Sequence, residues 1–333
     1  MPDPGDREAG ATRPGGGGRP EVGTGDGGGL LESVPNFSEG RRAEVVEEIV
    51  AAFASAHPEV LVLDRSSDPD HNRSVVSLAG PGPALVEAAV SGAAACARLI
   101  DLTRHQGVHP RMGALDVLPF VPLDPGADCV PLALEAGRRL VEEVGIPVYF
   151  YGAAARVPGR AELPSVRMGF EELALAAERD PARAPDLGGP GLHPTAGGTA
   201  VGVRPFLIAY NVNLATQDLT LAKRIARAVR ARDGGLPAVR ALGLVLERRG
   251  MTQVSMNLLD FRVTGLATAF TAVAELAARA GVEVVESEVV GLIPEAALAG
   301  VHAERLKLHG FSRDLVVEER MRRAMATRPS PRR

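Results

Sequence analysis

Residues 206–291 run strand, helix, strand, strand, helix, strand, and this order leaves few ways to fold them. The strands are read over 206–214, 239–247, 252–260 and 282–291, with amphipathic helices over 219–230 and 268–280. Four strands with a helix after the first and another after the third form the split βαβ pattern of ferredoxin-like domains. The first half alternates in a similar way. A strand over 30–38 ends at a turn, with Ser38 in position to cap a helix over 41–53. In that helix Val45, Val46, Ile49, Val50 and Phe53 recur at helical spacing. Strands at 60–64 and 74–79 follow, then a helix over 83–99, a strand over 114–121, a helix over 129–144, a strand over 147–151 and a short helix over 170–178. A run rich in proline and glycine, 185–202, breaks the pattern before Arg204 and Pro205. The reading is α/β (α+β), built as two sheet-plus-helix halves.

Residues 1–29 hold eleven glycines and four prolines and almost nothing that can be buried, so they are expected to be a disordered leader. A basic tail is expected at the other end, helical from Arg320 and fraying after Thr327. The net charge of -4 gives no electrostatic footprint for nucleic acid. Apolar windows are interrupted by Arg, Glu or Asp well before the ~20 residues of a membrane span. Cys96 and Cys129 lie in apolar surroundings far apart, as reduced core residues of a cytosolic protein do.

Chemistry concentrates in 104–116, where two imidazoles, two guanidiniums and a carboxylate fall among glycines and a proline. Glycine and proline oppose a regular helix there and point to an ordered loop. His109 is the residue of most interest, because imidazole takes up and releases protons near neutral pH. A structural loop with capping histidines is the competing reading. His105 and His109 are also four apart, as in some zinc sites, with Asp68, Asp70 and His71 as further candidate ligands. Gly107 between them and the lack of a suitably placed Glu weigh against metal. The turn 68–73 reads either as a plain turn or as a carboxylate-binding one carrying Asn72 and Arg73. The 185–202 run reads as a binding loop or a linker, and it lacks the spacings of dinucleotide and P-loop motifs. Asn211, Asn213 and Asn257 interrupt apolar strands, and read either as residues bonding the backbone or as one face looking into a polar cleft.

Several strings then agree: Ser33-Val34-Pro35-Asn36-Phe37-Ser38-Glu39-Gly40, His71-Asn72-Arg73, His109-Pro110-Arg111-Met112-Gly113-Ala114-Leu115-Asp116, residues 206–214 and residues 253–260. In these the chain resembles the glutamate formiminotransferase family, from about Leu31 to about Ala299. The resemblance implies two subdomains of mixed β-sheet with outer helices, the sheets facing each other across a ligand tunnel. It divides the chain into the 1–29 leader, an N-terminal subdomain over 30–205, a C-terminal subdomain over 206–325 and the 326–333 tail, with no cyclodeaminase half. It implies transfer of a formimino group from N-formimino-L-glutamate to tetrahydrofolate in histidine degradation, by a cytoplasmic homodimer with folate as co-substrate and no metal. The catalytic histidine of the family falls on His109, and its folate-contacting segment on Gly188, Gly189, Pro190, Gly191, Leu192, His193, Pro194, Thr195, Ala196 and Gly197. That segment departs most from the vertebrate pattern. Asn36, Asn72, Arg73, Arg111, Asn211 and Asn213 are expected on the substrate side, with Asp64 or Asp68 orienting the histidine. Three alternatives stand beside this one: a related enzyme using 5-formyltetrahydrofolate as formyl donor to glutamate, a metal-dependent hydrolase, and a non-catalytic folate-binding module.

Overall fold

The computed structural model describes residues 30–107, 110–124 and 126–327. The expected leader, the last residues of the tail and His109 lie outside them. The first sheet contains β1 (Leu30–Ser33), β2 (Asn36–Phe37), β3 (Leu61–Asp68), β4 (Arg73–Pro81), β5 (Leu115–Pro122), β6 (Val148–Gly152) and β7 (Thr199–Val203). The segment expected as one strand over 30–38 is two short ones. Pro35 lies between them and has no N–H for the ladder. Both pieces pair antiparallel with β4 and with β5, β3 pairs antiparallel with β4, and β5, β7 and β6 run parallel. Four helices lie among these strands: α1 (Ala43–Ser55), α2 (Gly82–Leu99), α3 (Val130–Arg139) and α5 (Phe170–Arg179), with the single turn α4 (Leu163–Val166) before the last.

Strand β7 falls inside the proline- and glycine-rich run, where no strand was expected. All five residues are buried, so it has no polar alternation, and Gly202 seats the Tyr151 ring where a Cβ would come within 2.4 Å. Ser38 does not cap α1. Its hydroxyl donates to the Gly113 carbonyl at 2.7 Å, and the Glu39 carboxylate accepts the N–H groups of Arg41 and Arg42 instead. Burial opposes the charge on Glu39, but these donors and the Arg42 guanidinium outweigh it and hold its pKa below the usual range.

The second sheet has β8 (Ile208–Leu214), β9 (Val239–Leu246), β10 (Met251–Leu258) and β11 (Val284–Val290) in the order β11-β8-β10-β9, antiparallel throughout. With α6 (Leu219–Val229) and α7 (Leu266–Arg279) this is the ferredoxin-like arrangement expected from the sequence. Asp218 caps α6 by accepting the Leu221 N–H at 3.1 Å. The second sheet keeps its helices on one face, whereas the first has α1 and α2 on one face and Val166 of α4 and Leu173 of α5 on the other, against Val117, Tyr149, Tyr151 and Ala200. Val46, Ile49 and Phe53 of α1 and Leu85 and Ala89 of α2 pack under the first, and Leu221 and Ile225 of α6 and Phe270 and Val273 of α7 under the second. Elsewhere the two remaining faces meet each other. Leu61, Leu63, Ala79 and Val121 of the first sheet join the core of the second half, and the last helix, α8 (Val317–Ala326), closes over β3 through an Arg320 bond to the Leu63 carbonyl. No helix among the described residues is long and apolar enough to cross a membrane.

Candidate active site

Between the two sheets lies a cavity of about 990 Å³. Pleating fixes which side chains reach it. Glu32, Asn36, Arg73 and Tyr151 come from the first sheet, Ala209, Arg240, Asn257 and Val290 from the second, and Arg204 from the link between the halves. Arg65, Arg73, Arg204, Arg240 and Arg262 line this one space; Arg65, Arg240 and Arg262 are paired with Glu47, Glu162 and Asp260, and Arg73 and Arg204 form no ion pair among the described residues, which suits them to ligand carboxylates. The Asn36 amide donates to the Val34 carbonyl at 2.7 Å and its oxygen accepts from Arg73, whose buried Nε has no partner.

Arg73 also lines a second, small hollow with Ser38, Asn72, His105, Arg111, Asp116 and Arg167, so the described residues flanking 108–109 abut the cavity across this guanidinium. The described residues on both sides of His109 are held from three directions. On one side, Asn72 Nδ2 donates to the Gln106 carbonyl at 3.0 Å while its oxygen accepts the Gly40 N–H. Asn72 sits at φ 49°, and Gly107 passes so close to the His71 carbonyl that a Cβ would lie 2.3 Å away. On the other side, buried Asp116 accepts the N–H groups of Met112 (2.7 Å) and Gly113 (3.3 Å) and pairs with Arg167, which in turn donates to the Pro110 carbonyl at 3.0 Å. From behind, the 193–198 turn bonds Leu102 N–H to Thr195 and Ala114 N–H to Ala196, with Gly197 at φ +71° against the Met112 carbonyl.

The six residues expected on the substrate side therefore divide. Asn36 and Arg73 reach the cavity. Asn72 and Arg111 have other partners: Arg111 grips both oxygens of Glu171 (2.9 and 2.8 Å) and the carbonyls of Leu102 and His105. Asn211 and Asn213 share the sheet face of Ala209 but lie further along the strand, outside the cavity lining. Their amides donate to Glu288 and Glu286. The 188–197 segment also lies outside that lining and packs against β6 and the 105–113 loop. Both ring nitrogens of His105 are engaged, since Nδ1 accepts from Arg111 Nε at 3.1 Å and Nε2 therefore donates to the Asn72 carbonyl at 2.9 Å. Burial holds its pKa below the usual range, which matches this neutral tautomer. Asp68, one of two candidate orienting carboxylates, bonds His71 Nδ1 at 2.5 Å, and Asp64 lines the cavity.

The two parts of this site, an arginine-lined cavity and a braced histidine loop, sit on a chain whose relatives are known. Residues 30–204 match the N-terminal subdomain of the formiminotransferase domain, and residues 209–322 match the formiminotransferase domain. The chain belongs to the formiminotransferase family. It is 45% identical over 300 residues to a glutamate formimidoyltransferase of Thermoplasma acidophilum, covering 89% of this chain and 98% of the relative. Another glutamate formimidoyltransferase, from Streptococcus pyogenes serotype M1, is 41% identical over 85% of this chain and 95% of its own length. The formimidoyltransferase-cyclodeaminase of Sus scrofa is 43% identical over 81% of this chain, which spans 51% of that longer protein. The formiminotransferase chain also carries site residues that periodicity did not single out. Glu32, Arg204, Asp116 and Arg167 are isolated polar residues in apolar segments, and that isolation was the available signal.

Glu32 is 2% exposed, and burial pushes its pKa up to about 7 against the opposing charge of Arg204. Below the ordinary value of 4.5 the carboxyl is neutral in both folded and unfolded chains. Between 4.5 and about 7 the unfolded chain ionises while the folded carboxyl stays protonated, and stability is lost over that range. Glu32→Gln cannot ionise. Its melting temperature relative to the native chain is therefore expected to rise between about pH 4.5 and about pH 8, by an amount equivalent to about 3 kcal/mol. Calorimetry of the two unliganded proteins at both pH values checks this, and a constant difference would refute it.

Proposed function

We propose that this protein transfers the formimino group between N-formimino-L-glutamate and tetrahydrofolate. The observation that carries the reading is the arginine-lined cavity, large enough for two small molecules and joined through Arg73 to the loop that carries His109. Family membership supplies the reaction class. Both substrates bring glutamyl carboxylates, which gives Arg73 and Arg204, without an ion pair among the described residues, a common use.

The reaction exchanges one amine for another at the formimino carbon. The folate nitrogen attacks that carbon, a tetrahedral intermediate forms, and the carbon–nitrogen bond to glutamate breaks. The attacking nitrogen sheds a proton and the departing glutamate nitrogen gains one. In this proposal His109 carries that proton, as general base and then as general acid. Asn36 and Arg73 bind substrate, while Asn72, Arg111, Asp116 and the 193–198 turn hold the histidine loop. The folate-contacting role of residues 188–197 is retained as part of the proposal, exercised beside that loop. Two further parts of the same reading are a cytoplasmic setting and a homodimer. Sedimentation equilibrium is expected to give twice the chain mass.

A transfer assay with purified protein, N-formimino-L-glutamate and tetrahydrofolate tests the function. Production of formimino-tetrahydrofolate is expected. Activity only with 5-formyltetrahydrofolate and glutamate would replace the formimino donor by the formyl one. Folate binding without transfer of either group would leave a binding module.

A further inference from the structure

The cavity is lined by five arginines, and three acids interrupt them. Glu162 is paired with Arg240, and Asp64 stands at a partly open position on β3. Glu32 differs from both. It is almost wholly buried, yet its carboxylate makes no hydrogen bond or ion pair among the described residues. Its cross-strand neighbours are Ala79 on β4 and Val121 on β5, both fully buried and without a side-chain donor. Arg204 contributes opposing charge without closing an ion pair. A buried carboxylate in this position calls for a donor, and the cavity is the side from which one can come.

On the reading above, the substrate carboxylates belong to the arginines, and one substrate group has the opposite sign. A formimino group on an amine is an amidine, which is protonated in neutral water and spreads its positive charge over a planar N–C–N fork. A carboxylate meets such a fork with two parallel N–H···O bonds, as it meets a guanidinium. A formyl group at the same place is neutral and offers an acceptor oxygen, which a carboxylate repels.

We infer that Glu32 receives the amidinium of the formimino group and so makes the site select formimino over formyl donors. The inference rests on the function proposed above and adds the residue that sets donor specificity. Glu32 transfers no proton in this role. It binds the reacting group and keeps the positive charge on the amidinium, where the charge makes the carbon electrophilic. Proton traffic stays with His109.

The test compares native protein and Glu32→Gln, with N-formimino-L-glutamate as donor and N-formyl-L-glutamate as a neutral competitor of nearly the same shape. Glutamine keeps the volume and removes the charge. The KM for the formimino donor is expected to rise about 10- to 100-fold. The KM for tetrahydrofolate is expected to stay as it is, and the inhibition constant of the formyl compound to fall, since the charge that repels its oxygen is gone. An unchanged KM for the formimino donor would overturn the inference, and so would a parallel weakening of all three constants, which would mark Glu32 as a shape-holding residue. Should the variant not fold, titration of the native protein decides. Formimino-glutamate is expected to bind about tenfold more tightly than formyl-glutamate, and equal affinity overturns the inference. Native protein that transfers no formimino group sinks the functional reading itself. Native transfer with an indifferent variant sinks only the role of Glu32.

Discussion

Replacing His109 by alanine is expected to lower formimino transfer by about 10²- to 10⁴-fold, the usual contribution of one general acid–base group. Two nitrogens change partners at one carbon, one must lose a proton and the other gain it, and a single imidazole serves both in turn. Binding has a different source. The arginines that line the cavity lie on β3, β4, β9 and neighbouring links, so KM for both substrates is expected to change little in the variant. Free imidazole added to His109→Ala is expected to restore part of the rate, because a small base can enter the space left by the side chain. A purely structural histidine would show no such rescue. Transfer at the native rate in the variant would end the proton-shuttle mechanism.

How much of this was legible beforehand follows from where each signal resides. The second half was readable because its strands alternate and its helices have one apolar face. Residues such as Leu221, Ile225 and Val229 record their environment locally. Strand β7 was hidden because it is buried on both faces and includes a glycine, so its sequence looks like the loop before it. Pro35 divides a strand that its apolar neighbours would otherwise continue. In the site, residue types were informative and partners were not. Arg111 and Asn72 have the chemistry to bind a carboxylate. The chain instead gives them Glu171, sixty positions away, and the backbone of Gly40 and Gln106. Asn211 shares the face of Ala209 but lies outside the cavity lining, because a periodicity of two fixes the face of a strand and not the depth along it. Glu32 and Asp116 acquire meaning from neighbours brought in by the fold.

Asp116→Ala is expected to destabilise the protein by about 3–5 kcal/mol, the usual result of removing one partner of a buried ion pair. The carboxylate is 1% exposed and holds the Met112 N–H, the Gly113 N–H and Arg167 at once. Without it, two backbone donors and a guanidinium whose Nε already lacks a partner are left inside the protein. Arg167 would then also lose its fixed position beneath the Pro110 carbonyl, and the segment that follows His109 would loosen at both points. Asp116→Asn keeps an acceptor for the N–H groups and loses only the charge opposite Arg167, so an intermediate loss of stability is expected. The two roles of Asp116 separate in the kinetics. Asp116 is outside the lining of the large cavity, so the KM values of both folded variants are expected to stay near native. A loop displaced by even an ångström misaligns the proton carrier, and kcat is expected to fall by about 10- to 100-fold. Denaturant titration and steady-state kinetics on the folded fraction read these separately. Reduced stability with native kcat would make Asp116 a core ion-pair partner and leave the histidine loop positioned by Asn72, Arg111 and the 193–198 turn.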